Sequence, residues 1–534
     1  FSLQTTQRPI LKRFSGRLFV PFLSQLLLAC WWPFVFAKSD DFNFPFCFLC
    51  YAVASQWPLR ESRVNRSTKI VATLGPASST EQVIETLARA GANLFRLNFS
   101  HGSHDEQAAR IHAIRAVEEK VGRPIGILAD LQGPKYRIGR LVADIPLEAG
   151  SNVCFYLPGH QPSALGDAAS FIPLPHADIF ESLEPKSRIL MDDGKLKFTV
   201  MKLGAHYVVA RLEHAGTLSS QKGVNLPDVT LDVSPLTEKD NADLAFALDN
   251  HVDYIALSFV QRTSDILEAR SRISGHAQIV AKIEKPSALS EIDQIIQATD
   301  AVMVARGDLG VELPAAQVPA VQKQLVAKCR QVGKPVIVAT QMLESMITAP
   351  APTRAEASDV AGAVFEGADA VMLSAESAVG EYPEQVVAIM AEIALAAENH
   401  IQQNPHDGPG RLQVEPSVYH AVAEAAVRLA QTIEAAAIVA FTASGNTAVR
   451  LARERPAQPL LVLSPEHAVE RRLSLLWGTQ TAHQAESSYE DAVEEAVSQI
   501  KARGLARQGE SIVLVSGMPF GLAGTTNALR VVMI

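Results

Sequence analysis

From Thr68 onward, short apolar runs rich in β-branched residues alternate with longer stretches whose apolar positions recur at helical spacing. The short runs fall at residues 69–74, 93–98, 125–130, 253–257, 278–283, 301–305, 335–339 and 370–373. They are nearly continuous in apolar character, as strands buried on both faces must be. Strands of this kind separated by helix-length segments predict an α/β fold, a (β/α)₈ TIM barrel.

Polar residues collect just past the ends of these runs. Lys282 and Glu284 lie two positions apart, so on a strand they share a face, and the next run leads into Arg306-Gly307-Asp308. An ammonium and two carboxylates at one mouth can hold a divalent metal and handle an anionic substrate. Taken singly, a Lys-x-Glu is ordinarily a solvated charge pair and a Gly-Asp a turn. Repetition argues for more. Arg96, Asn98 and Ser100 follow one another at every second position and are expected to share a face, while Asp130, Thr340 and Ser374 occupy equivalent places on other strands. In a TIM barrel that rim is where active sites lie.

The helical spacing disappears between residues 139 and 222, where strand-like runs at 145–156, 187–191 and 196–203 are punctuated by Pro and Gly. This predicts a small β domain inserted after the third barrel strand, able to close over the rim as a lid. A decorative insertion fits the same spacing. Beyond a polar linker at 402–411, a helix over 418–432, a strand over 437–441 and another over 459–463 predict a separate C-terminal α/β domain. The division expected is an extension outside the fold (1–66), barrel (67–138), inserted β domain (139–222), barrel (223–400) and C-terminal domain (411–534). Within the last, the loop carrying Thr442, Ser444, Gly445, Asn446 and Thr447 precedes a helix expected near Ala448. Small hydroxyl residues and backbone N–H groups there suit a phosphorylated effector, although helix capping alone also explains them.

A chain of 534 residues, 48% hydrophobic, is long enough for several compact units, and its formal charge of -9 argues against nucleic acid as the main partner. Five cysteines without framework spacing suggest a reducing, cytoplasmic setting, and Cys47 with Cys50 lacks a second metal-binding pair. Residues 18–37 carry no charge, follow Lys12, Arg13 and Arg17, and are long enough to span a bilayer. Because the chain begins with Phe and the barrel needs nothing upstream of about Asn65, the favoured reading is a non-native or wrongly assigned extension. A targeting or membrane-anchoring segment is the alternative.

Several longer motifs are specific. TKIVATLGPAS (68–78), RLNFSHG (96–102), KGVNLP (222–227), AKIEKP (281–286), VARGDLGVELP (304–314), KPVIVATQMLESM (334–346), PTRAEASDVA (352–361) and GADAVMLSAESAVGEYP (367–383) resemble the pyruvate kinase family, in its order and around an insertion at its position. The resemblance runs from about Thr68 to the end of the chain and is weakest in the insertion.

It implies phosphoryl transfer from phosphoenolpyruvate to ADP, giving pyruvate and ATP. Arg96 and Lys282 then match the groups that hold the transferring phosphoryl, and Glu284 and Asp308 the ligands of Mg²⁺ or Mn²⁺. Two carboxylates suit Mg²⁺, which keeps waters and accepts substrate oxygens. Gly307 and Asp308, opening a short helix, match the substrate-carboxylate site, and Thr340 a residue near the enolate that must be protonated. Asn98, Ser100, His101, Arg137 and Lys222 match the nucleotide site. Many members hold a monovalent cation near Asn98, Ser100 and Asp130. Here Lys135 follows Gly133-Pro134 where those members have Glu, and its ammonium is expected to replace K⁺; a surface lysine is the alternative. The last loop, 517–524, lacks the Trp and Arg that accompany fructose 1,6-bisphosphate in some members, which points to another activator such as a sugar monophosphate or AMP. The resemblance also implies a homotetramer. Two rival functions stay open: a metal-dependent aldolase or lyase acting on a pyruvate enolate, and a non-catalytic effector-binding scaffold.

Overall fold

The computed structural model describes residues 66–534 except 163–167, 232, 274, 276, 414, 486–487 and 522–524. The uncharged stretch 18–37, Cys47 and Cys50 lie outside the described residues, as does part of the 517–524 loop.

Eight parallel strands close into a barrel: Lys69–Leu74, Leu94–Asn98, Gly126–Asp130, Tyr254–Leu257, Gln278–Ile283, Ala301–Ala305, Val336–Ala339 and Ala370–Leu373, the last pairing with the first. Their apolar residues are buried inside and out. Val71, Leu94, Leu128, Val280, Met303 and Met372 belong to one cluster, and the alternate residues Ile70, Phe95, Ile127 and Ile279 to a second that includes Leu87, Ile114 and Val326 of the surrounding helices. Each such side chain contributes about 1.5–3 kcal/mol on burial. Helix starts are fixed locally: Ser103, Thr237 and Thr353 each form a reciprocal capping box. Arg66, expected in the extension, is part of the barrel, donating to Gly91 O at 2.6 Å and Asn93 Oδ1 at 3.0 Å.

The insertion forms a six-stranded sheet and a two-stranded ribbon around its own core. The apolar run at 145–156 divides into Ile145–Leu147 and Asn152–Tyr156, because Gly150 turns between them at φ 78°. This core runs past 222: Val224, Leu226 and Leu231 belong to it, since the returning chain pairs with Arg188–Met191 before rejoining the barrel. The entering and leaving segments lie side by side, Ile138 N–H donating to Lys222 O at 3.0 Å and Val224 N–H to Tyr136 O at 2.9 Å.

The C-terminal sheet has the order Thr479–His483, Leu460–Ser464, Ala437–Phe441, Ser511–Gly517, Thr526–Met533, with only the last strand antiparallel. It meets the barrel at the strands' amino ends. Leu475 joins the inner barrel cluster, Tyr254 Oη donates to Arg472 O at 2.8 Å, and Arg471 pairs with Glu118 at 2.8 Å. No described helix is long and apolar enough to cross a membrane.

Candidate active site

Lys282, near the carboxyl end of the fifth barrel strand, is the hub of the rim. Its Nζ lies 2.8 Å from Glu284 Oε1 and 3.1 Å from Asp130 Oδ1, and donates to Ser258 Oγ at 2.6 Å. Asp130 accepts from Arg96 Nε at 2.6 Å on its other oxygen, and Arg96 Nη1 reaches Thr73 Oγ1 at 3.1 Å. Residues from five strands or strand ends thus join one hydrogen-bonded network, three of them meeting at Lys282.

Burial opposes ionisation throughout this cluster, and the neighbours decide the outcome. Burial works against the Lys282 ammonium, but Asp130 and Glu284 outweigh it and hold its pKa above the ordinary lysine value. Burial also works against ionised Asp130, yet Lys282 and Arg96 keep its carboxyl below the usual range. Glu284 is pushed up to about 7, first by burial and then by repulsion from Asp308, despite the attraction of Lys282. The charge of Asp308 is thus felt at Glu284. Phe259 N–H, at φ 56°, donates to Glu284 Oε2 at 2.8 Å and fixes the carboxylate's plane.

Asp308 sits in the first turn of the helix Arg306–Glu312, as expected, with Gly307 beside it. The Gly307 N–H donates to Thr340 Oγ1 at 2.7 Å, and that hydroxyl donates to Ala339 O at 2.6 Å. Thr340 and Gln341 both have positive φ, 68° and 53°, a strained conformation for a β-branched residue. Arg306 holds it in place, donating to Ala339 O at 3.2 Å and Thr340 O at 2.7 Å while pairing with Asp359 at 2.6 Å. Arg306, Gly307, Asp308, Gln341 and Asp359 line a cleft of about 600 Å³ that also takes in Asp193 of the insertion.

The other expected residues divide. Asn98 is half-buried at a strand end, but the alternation stops there: Ser100 lies in an exposed turn, its N–H capping Asn98 Oδ1 at 3.1 Å, so the expected shared face does not extend to it. His101 is exposed in the same turn, where its carbonyl accepts from Gln107 at 3.0 Å. Arg137 and Lys222 lie on the paired segments joining barrel and insertion. Arg137 donates to Gln221 O at 3.0 Å, and Lys222 pairs with Asp192 at 2.6 Å. Lys135 is half-buried at the same junction, its Cε 3.6 Å from where a side chain on Gly223 would begin. The backbone N–H of Ser374 donates to Glu376 at 2.6 Å in the turn after the eighth strand.

In the C-terminal domain the helix begins at Asn446 rather than near Ala448. Gly445, at φ 91°, donates to Thr442 Oγ1 at 2.9 Å, while Thr447 bonds Thr526 at 2.7 Å. Ser444 and Asn446 are the exposed members of the loop.

Sequence reasoning missed Ser258, Phe259 and Arg306. Ser258 was accessible to the alternation argument, since it follows Ala256 by two positions at the end of the fourth strand. A backbone donor such as Phe259 leaves no trace in residue type. Also missed was a latch: Glu312 Oε1 pairs with Lys285 at 2.6 Å and accepts from Asn225 of the insertion's return segment at 3.1 Å.

Residues 65–387 match the family model described as pyruvate kinase, barrel domain, and residues 420–532 match its alpha/beta domain. A pyruvate kinase from Agrobacterium vitis is 50% identical over 471 residues, covering 88% of this chain and 98% of that protein. One from Geobacillus stearothermophilus is 39% identical over 88% of this chain and 80% of its own length. A crystal structure of a pyruvate kinase from Cryptosporidium parvum superposes with a TM-score of 0.81 at 31% identity, covering 90% of this chain and 98% of that one. With both its barrel and its C-terminal domain matched, the chain belongs to the pyruvate kinase family, phosphotransferases acting between phosphoenolpyruvate and ADP.

Proposed function

We propose that Arg96, Lys282, Glu284, Asp308 and Thr340 carry the family's reaction in this chain, moving the phosphoryl group of phosphoenolpyruvate to ADP with release of pyruvate and ATP. The observation that supports this most is the buried Lys282, held protonated between Asp130 and Glu284, with the charge of Asp308 felt at Glu284. Phosphoryl transfer asks chiefly for positioning and charge neutralisation, and this cluster offers fixed positive groups for both.

Lys282 and Arg96 bind phosphoryl oxygens, their geometry set by Asp130 between them. Glu284 and Asp308 fit a divalent cation, because the buried Glu284 carboxylate, disfavoured as an anion by burial and by the charge of Asp308, gains from one. Mg²⁺ or Mn²⁺ held there would supply Lewis-acid stabilisation of charge on the enolate oxygen. Gly307 and Asp308, at the start of the helix, receive the substrate carboxylate. Thr340 positions that turn through its bond to the Gly307 N–H and relays the proton that completes pyruvate. Asn98, Ser100, His101, Arg137 and Lys222 take the nucleotide, Arg137 and Lys222 from the junction with the insertion, which acts as the lid. An aldolase or lyase has no use for that second group.

Lys135 replaces the monovalent cation, so turnover needs no K⁺. The loop from Thr442 to Thr447 takes the phosphate of an activator, a sugar monophosphate or AMP, with the exposed Ser444 and Asn446 supplying donors and Gly445 turning the loop. The working unit is a cytoplasmic homotetramer; the edge strand Thr526–Met533 leaves Leu529, Val531 and Met533 exposed for a second copy to cover. A coupled assay of pyruvate formation from phosphoenolpyruvate and ADP, with and without Mg²⁺, tests the central reading. Activity without ADP, or none with all components present, would sink it.

A further inference from the structure

We infer that His467, Glu470 and His483 form a second metal site, on the C-terminal domain and separate from the barrel rim, for a borderline transition ion of the Zn²⁺ and Co²⁺ class. Their ligand atoms all lie within 4.8 Å of one another. His483 Nδ1 is 2.9 Å and His467 Nδ1 3.4 Å from the same oxygen, Glu470 Oε1. An ion bound at about 2.0–2.1 Å to nitrogen and oxygen donors needs them roughly 3.3 Å apart, so small rotations suffice. The two imidazoles are already stacked, with centroids 4.1 Å apart and planes 20° apart, both presenting Nδ1 to the carboxylate.

The donor set decides the ion. Two imidazoles and a carboxylate suit Zn²⁺, Co²⁺ or Ni²⁺, whereas Mg²⁺ and Ca²⁺ prefer oxygen donors. Glu470 is buried and fixed, while the two histidines are exposed, so an ion can enter from solvent and keep water on its open side.

The position gives the site a consequence. His467 and Glu470 are one turn apart on the helix His467–Leu473, and His483 ends the strand Thr479–His483. A bound ion ties the two elements together. Leu473 and Val469 of that helix pack on Gly445 of the expected effector loop, 3.4 and 3.6 Å from where a side chain there would begin. Arg471 reaches Glu118 on a barrel helix, and Arg472 O accepts from Tyr254 of the fourth barrel strand. The ion therefore braces the element that links effector loop to barrel.

The test uses the full-length, tag-free protein, stripped with chelator and kept in saturating Mg²⁺ to occupy the barrel site. Co²⁺ is titrated while its visible absorption is followed, then displaced with Zn²⁺. The expected result is a histidine-ligated Co²⁺ band that Zn²⁺ abolishes and that is lost in His467→Gln and in His483→Gln. Both variants should keep their fold and basal turnover. Each should bind Co²⁺ at least about tenfold more weakly, since disturbing even an outer partner of a metal ligand costs roughly 10–100-fold in affinity. Co²⁺ binding equal in wild type and both variants, or absent from the wild type, overturns the proposal.

Discussion

Lys282 Nζ, near the end of the strand Gln278–Ile283, and Glu284 Oε1, from the residue just past it, lie 2.8 Å apart, and Asp130 flanks the same ammonium at 3.1 Å. Replacing Lys282 with Met removes the one cation that both carboxylates share. If Lys282 stabilises the transferring phosphoryl group, turnover should fall by about 10²–10³-fold or more, the loss typical of one preorganised electrostatic group. The fold should survive, because Asp130 keeps Arg96 and Glu284 is already close to accepting a proton. Circular dichroism and Mg²⁺ titration of Lys282→Met, alongside the coupled assay, check this; near-normal turnover would remove Lys282 from the mechanism.

The lysine at position 135 makes a second claim. Wild-type turnover should be the same in Na⁺ and K⁺ buffers at equal ionic strength. Lys135→Glu should lower turnover in Na⁺ and recover it when K⁺ is added, since a carboxylate at that junction restores the need for a separate cation. Equal turnover of the variant in both buffers would make Lys135 an ordinary surface residue.

Stability should carry the signature of a buried lysine at the barrel's floor. Lys69, whose Nζ donates to Thr479 O at 2.6 Å, is pushed down to about 7 by burial and by the neighbouring Arg66 and Arg123. Its folded pKa thus lies below the unfolded value of 10.5. Between the two the unfolded chain binds the extra proton, so stability rises with pH across that window. The cost of burying Lys69 is full below about pH 7 and gone above the unfolded pKa. Lys69→Met should stabilise the protein near pH 6 by on the order of a few kcal/mol, less about 1 kcal/mol for the lost hydrogen bond. The gain should shrink steadily towards pH 10, which urea unfolding at several pH values would reveal. A gain independent of pH would mean that Lys69 is neutral, or charged, in both states alike.

The barrel was legible because its strands are buried on both faces and show as unbroken apolar runs; all eight sit within a residue of where the pattern put them. Alternation likewise brought Lys282 to Glu284. It failed at Ser100 because period two holds only while the strand lasts, and Leu94–Asn98 ends two residues earlier. The insertion's end was misplaced at 222 because Val224 and Asn225 form a two-residue strand whose partner, Arg188–Met191, is distant in the chain. Backbone contributions were invisible for a similar reason: the Phe259 N–H and the twisted backbone at Thr340 depend on which segments meet, and no residue type announces them.

That twist at Thr340 yields the last prediction. A β-branched residue at φ 68° costs about 1–3 kcal/mol, and it is retained here where its hydroxyl takes the Gly307 N–H at 2.7 Å. Thr340→Val keeps the branch and the strain but removes the acceptor, leaving that N–H without its partner; it should lose about 1–3 kcal/mol of stability. If the hydroxyl also relays a proton, kcat should fall further than substrate affinity. Thr340→Ser keeps the hydroxyl and sheds the extra methyl, so it should be as stable as wild type and nearly as active. Should the valine variant turn over normally while the serine variant fails, the methyl group would be the feature that matters, and the hydroxyl's place in the proton relay would be lost.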